Sequence, residues 1–125
     1  MSSTIERARS FLFVPASRPE RFVKAMQTAA DCIILDLEDA VSMNDKDVAR
    51  DNVTHYLPQC SEADRARILV RINASDTAWH QDDLKALAGA PGAAGVVIPK
   101  SETVAVLDAA AAILGNKVKL VPLIE

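Results

Sequence analysis

Residues 32–39 read Cys32-Ile33-Ile34-Leu35-Asp36-Leu37-Glu38-Asp39. The apolar opening has no polar alternation, which is the pattern of a strand buried on both faces. Carboxylates then crowd its end. Four more runs of this kind surround it. Phe11-Leu12-Phe13-Val14 precedes it and stops at Pro15. Residues 67–72, Gly95-Val96-Val97-Ile98 before Pro99, and residues 118–124 follow it.

Helical spacing fills the gaps. Pro19 suits a first helical turn, with Phe22, Met26 and Ala29-Ala30 on one face. Asn44 is placed to cap a helix whose inner face holds Ala49, Val53, Tyr56 and Leu57. Asp76 or Thr77 opens a third, with Leu84, Leu87 and Ala88 inward and Gly89 as its stop. Ser101 caps a fourth, with Val104, Leu107, Ala111 and Leu114 inward and Gly115 closing it. Strands and helices therefore alternate, which calls for a parallel sheet with right-handed crossovers. An open doubly wound sheet and the start of a (β/α)₈ barrel both satisfy this order. The first strand-to-helix turn, Val14-Pro15-Ala16-Ser17-Arg18-Pro19, has no glycine and cannot form a GxGxxG nucleotide cradle.

Composition narrows the class. The 125 residues are half hydrophobic and a quarter charged, as in a globular domain with a real core. The formal charge is −3 and no basic stripe marks a nucleic-acid surface. No apolar run approaches the roughly 20 residues that cross a bilayer. The polar start does not resemble a secretory signal, so a cytoplasmic location is expected. Cys32 and Cys60 stand alone and read as inert thiols. His55 and His80 lie in polar helical segments and read as solvated.

Polar residues gather where the strands end. Arg18 follows the first strand, Asp36, Glu38 and Asp39 the second, Arg71 and Asn73 the third, Lys100 the fourth and Glu125 the fifth. In a parallel α/β protein these ends share the rim where active sites sit. By alternation Asp36 shares a strand face with Glu38, and Leu69 shares one with Arg71 and Asn73. Carboxylates suit Mg²⁺, and arginine or lysine suits a substrate carboxylate. The same residues also read as helix caps, structural ion pairs and solvated charges, and Arg67, at the opposite rim, reads as structural.

Phe11-Leu12-Phe13-Val14-Pro15-Ala16-Ser17-Arg18-Pro19-Glu20-Arg21-Phe22 resembles the opening of the HpcH/HpaI aldolase and citrate lyase β-subunit family. Leu35-Asp36-Leu37-Glu38-Asp39-Ala40-Val41 is similar to its second-strand signature, with Lys46 and Ala49-Arg50 following in place. Val70-Arg71-Ile72-Asn73, Ile98-Pro99-Lys100-Ser101-Glu102 and Pro122-Leu123-Ile124-Glu125 continue the resemblance in order. It implies the first five units of a (β/α)₈ TIM barrel, with residues 1–125 the N-terminal part of one lyase domain. It further implies five parallel strands in sequence order and four helices on one side of a curved sheet.

For function, the resemblance implies a Mg²⁺-dependent carbon–carbon lyase that cleaves or forms a 3-hydroxyacyl-CoA thioester of the citryl, malyl or citramalyl kind. Glu125 would ligate the metal beside the substrate, and Arg71 would bind the carboxylate or keto-acid end. Glu38 and Asp39 would be catalytic carboxylates near the metal, holding its waters. Arg18 and Lys100 would serve the substrate or CoA side. A second metal-ligating aspartate is expected beyond residue 125, and a homo-oligomer when the barrel is complete. The 125-residue chain alone is expected to bind Mg²⁺ weakly, to lack lyase activity and to self-associate through open sheet edges. A pyruvate-type aldolase working without CoA and a non-catalytic partial barrel acting in assembly are the alternatives.

Overall fold

The computed structural model describes residues 7–89, 92–99, 104–115 and 119–123, without the side chains of the last two. Five strands form one parallel sheet: β1 (Phe11–Pro15), β2 (Cys32–Asp36), β3 (Ile68–Arg71), β4 (Gly95–Pro99) and β5 (Lys119–Leu123). Their order in the sheet is their order in the chain. The helices between them are α1 (Phe22–Met26), α2 (Lys46–Tyr56), α3 (Glu62–Arg65), α4 (His80–Gly89) and α5 (Val104–Leu114).

Alternation along the strands separates two faces. Ile33, Leu35, Ile68, Val70, Val96 and Ile98 pack with Phe22, Ala25, Ala49, Val53, Leu57, Leu84, Leu87, Ala110 and Leu114 from the helices. The opposite face gathers Cys32, Ile34, Leu69 and Val97, with Val121 and Ala8 against them and no helical residue. Helices α1, α2, α4 and α5 therefore lie on one side, as expected of the first five units of a barrel and not of a doubly wound sheet, and the one-turn α3 is an addition to the four helices expected.

The helix layer differs from expectation in several places. The first helix stops at Met26 rather than reaching Ala30. Gln27 and Thr28 fold back onto Lys24 and Ala25 carbonyls, and the Thr28 hydroxyl donates to Ala25 O at 2.7 Å. Asn44 is no cap. It sits inside a 3₁₀ turn, Met43–Asp45, which follows extended Ser42. The third helix begins at His80, because Thr77 turns back on Ala74 O through both its amide and its hydroxyl. Ala88 is exposed. The inner face of α5 is rotated, so that Ala110 is buried while Ala111 and Val104 are exposed. Gly115 does end α5, with φ +79, a left-handed conformation that suits glycine.

Arg67 holds the rim opposite the carboxylates, as its position before β3 suggested. Its guanidinium donates to the carbonyls of Met26, Thr28, Ala30 and Asp31 at 3.2, 3.4, 2.7 and 3.5 Å. Cys32 is buried, Cys60 half-buried, and both are free thiols. Among the described residues no helix is long and apolar enough to cross a membrane.

Candidate active site

Asp36 and Arg71 are register partners at the ends of β2 and β3, on the face that carries no helices. Asp36 is 1% exposed, so its charge requires partners. Four donors supply them. Arg71 gives Nε at 2.9 Å and Nη2 at 2.6 Å, and the amides of Glu38 and Ala40 give 2.9 and 3.2 Å. Both Asp36 oxygens are thus engaged by two donors each.

That pairing fixes the plane of Arg71. A guanidinium has five N–H donors in a rigid fork. Asp36 takes the Nε–Nη2 edge, which directs the Nη1–Nη2 edge away from it. Glu38 Oε1 lies 3.6 Å from Nε and Asp39 Oδ2 4.0 Å from Nη2. The Phe13 ring lies 4.9 Å from the guanidinium carbon. Hydrogen bonding to Asp36 raises the Arg71 pKa against the opposing effect of burial, with Glu38 and Asp39 adding to it. Arg71 is thus both a structural ion-pair partner and a preorganised donor.

The turn that carries Glu38 and Asp39 leaves the strand early. β2 ends at Asp36, and Leu37 N donates to Arg71 O at 2.8 Å. Lys46, the first residue of α2, closes the turn by donating Nζ to Leu37 O at 3.0 Å and Glu38 O at 2.7 Å. Trp79 covers this ammonium, with its ring centre 5.3 Å away. Burial lowers the Lys46 pKa, opposed by the charges of Asp36, Asp83, Glu38 and Asp39.

Asn73 departs from the expected face. Its amide and Nδ2 both donate to Asp83 Oδ2, at 3.0 and 2.7 Å, which draws it into the helix layer. Arg50 Nε meets the other Asp83 oxygen at 2.8 Å. Burial works against the Arg50 charge, and the bonds to Asp83 and Asp47 reverse the effect and raise its pKa. His80 is buried and not solvated as expected. Its Nδ1 lies 2.8 Å from Asn73 O, and a carbonyl only accepts, so the ring proton sits on Nδ1.

The structure therefore brings Arg71, Glu38 and Asp39 together. Arg18 is exposed in a neighbouring cavity of about 460 Å³, with Ser17, Arg21, Ala40, Ser42 and Asp45 among its lining. Lys100 and Glu125 lie outside the described residues. The reading of the strand-two carboxylates as partners of rim arginines holds for Asp36, and sequence reasoning missed the roles of Lys46, Trp79 and Phe13. A signal for Asp36 was available: a carboxylate and an arginine at equivalent ends of adjacent parallel strands pair directly.

The donor set suits a hard cation in part. Glu38 and Asp39 offer carboxylate oxygens, and Mg²⁺ is commonly held by one or two carboxylates plus waters and substrate oxygens. Among the described residues no group of three or more potential ligands encloses a metal position.

The HpcH/HpaI aldolase/citrate lyase profile matches residues 9–119. The chain belongs to that family. A citrate lyase subunit beta-like protein from Mycobacterium tuberculosis is 48% identical over 95 residues, covering 76% of this chain and 32% of the relative. A (3S)-malyl-CoA thioesterase from Cereibacter sphaeroides is 45% identical over 92 residues, covering 74% and 32%. Among solved structures, protein CitE from Mycobacterium tuberculosis, in complex with magnesium, acetoacetate and coenzyme A, superposes with a TM-score of 0.72 at 39% identity. That match covers 94% of this chain and 40% of CitE. The family member spans about a third of the length of these curated relatives.

Proposed function

We propose that the protein is a Mg²⁺-dependent carbon–carbon lyase acting on a 3-hydroxyacyl-CoA thioester of the citryl, malyl or citramalyl kind. The observation that carries this reading is Arg71, oriented by Asp36 with one fork edge left for a substrate carboxylate. Bidentate recognition of a carboxylate is what that edge does best. Kinship with CitE, solved with magnesium, acetoacetate and coenzyme A, supports the cofactor and substrate class.

In this reading Arg71 binds the acid half of the substrate and offsets charge that develops there. Glu125 would ligate the cation, and Glu38 and Asp39 would hold its waters. When bound, Mg²⁺ supplies Lewis-acid polarisation of an oxygen on the acid half. The 3-hydroxyl loses its proton, the C2–C3 bond breaks, and C3 becomes the carbonyl of a keto acid. The electron pair passes to the thioester half as an enolate, which then takes a proton. Arg18 and Lys100 serve the CoA side.

Thioester hydrolysis is the second reading, favoured by the 45% identity to a (3S)-malyl-CoA thioesterase. A panel of malyl, citramalyl and citryl thioesters, assayed on the full-length protein with Mg²⁺ and with chelator, separates the two. A keto acid and a shortened acyl-CoA, both lost with chelator, are expected. Free CoA without keto acid would replace lysis by hydrolysis, and no turnover of any thioester would overturn both.

A further inference from the structure

Lys46 is a buried cation, 7% exposed, that the proposed chemistry does not use. An ammonium has three donors. Two go to consecutive carbonyls, Leu37 O and Glu38 O, and the remaining side meets the Trp79 ring. Those carbonyls belong to the residues between Asp36 and Asp39. The same turn is fixed from the other side, where Asp36 accepts from the Glu38 and Ala40 amides. Lys46 thus clamps the outside of the turn while Asp36 clamps its inside.

Charge adds a second consequence. Asp36, Glu38 and Asp39 crowd one rim, and Arg71 is the cation among them. Lys46 brings a second positive charge against the backbone of that turn without occupying a carboxylate oxygen. One turn further along α2, Arg50 anchors Asp83, which holds Asn73 two residues after Arg71. A single helix face sets the height of both rim segments.

We propose that Lys46 is the positioning residue for the acid-bearing turn. Through its bonds to Leu37 and Glu38 and its seat on Trp79, it holds the backbone that places Glu38 and Asp39 beside the divalent cation and its waters. The cation-binding half of this inference rests on the lyase reading above.

Trp79 is the chain's only tryptophan, so its fluorescence reports on this contact directly. The test, on the full-length protein, compares wild type with Lys46→Met, which keeps the apolar stem, and Lys46→Arg, which keeps the charge. Amide hydrogen exchange, tryptophan emission and direct Mg²⁺ titration are measured on each. In Lys46→Met, exchange is expected to rise about tenfold at the amides of 38–41 and not across the sheet, and Mg²⁺ affinity to fall about tenfold, as for other residues that orient metal ligands. Lys46→Arg is expected to restore both. A merely structural lysine would raise exchange throughout the fold and leave cation affinity unmoved.

Unchanged exchange at 38–41, or unchanged Mg²⁺ affinity beside faster exchange, would overturn the proposal. If the full-length wild type binds no Mg²⁺, the lyase reading fails, and local exchange alone decides the role of Lys46. If Lys46→Met does not fold, Trp79→Leu replaces it. That variant removes only the ring behind the ammonium and is expected to act in the same direction; no local change in it overturns the proposal.

Discussion

Replacing Asp36 by asparagine keeps the size of the side chain and removes its charge. Four donors now converge on the carboxylate, two from Arg71 and two from the amides of Glu38 and Ala40. An asparagine oxygen can keep some of them, but its NH₂ group turns a donor toward a donor. Arg71, 12% exposed in its side chain, is left with Glu38 at 3.6 Å and Asp39 at 4.0 Å. Breaking a buried ion pair from one side costs roughly 3–5 kcal/mol, and these two carboxylates offset part of it, so about 3 kcal/mol is expected. At a urea slope of roughly 1–3 kcal/mol per molar, the unfolding midpoint falls by about 1–3 M. Equilibrium urea unfolding measures this, and the Asp36→Asn/Arg71→Met double variant isolates the pair. It is expected to be more stable than the sum of its single changes by over about 1 kcal/mol, the size of coupling seen between groups in direct contact. A loss below about 1 kcal/mol, or additive effects, would refute the claim that Asp36 fixes Arg71.

Two further outcomes follow from the opposite rim and the helix layer. Arg67→Met withdraws donors from four carbonyls that water partly re-satisfies, so a loss of about 1–2 kcal/mol is expected in the same unfolding assay. Tyr56, the only tyrosine, packs on Phe22 at 5.1 Å, and burial, then its contact with Cys60, pushes its hydroxyl from 10.0 up to about 12. A raised folded pKa means that this stabilising contribution is complete below the unfolded value and is lost as pH climbs through the folded one. Phenolate absorbance is therefore expected to rise near pH 12 in the native chain and near pH 10 in urea; coincident titrations would contradict the burial of Tyr56.

The strands were legible because β-branched apolar runs leave few alternatives, and parallel order follows from the helices between them. Helix faces were less so. Val104–Leu114 is apolar at every position but Asp108, with alanines at 105, 109, 110, 111 and 112, so periodicity could not tell Ala110 from Ala111. His80 sits in a polar stretch, and its burial comes from Asn73 O, a partner set by how the loop after β3 closes. The rim residues were legible as types at strand ends. Their division of labour was not, since the contact between Asp36 and Arg71 joins residues 35 apart in the chain. Only strand register reveals that Asp36 spends both oxygens on Arg71 and its own turn.

The central claim is that Arg71 recognises a substrate carboxylate through a planar fork. Its most direct test is kcat/KM of Arg71→Lys in the full-length protein, with a malyl or citramalyl thioester in Mg²⁺. An ammonium keeps the charge but cannot serve Asp36 and a carboxylate through two parallel pairs of bonds. Losing one charged hydrogen bond of about 1.5–3 kcal/mol predicts a fall of roughly 10- to 100-fold. A variant with kcat/KM near that of wild type would contradict the account and leave Arg71 only its structural bond to Asp36.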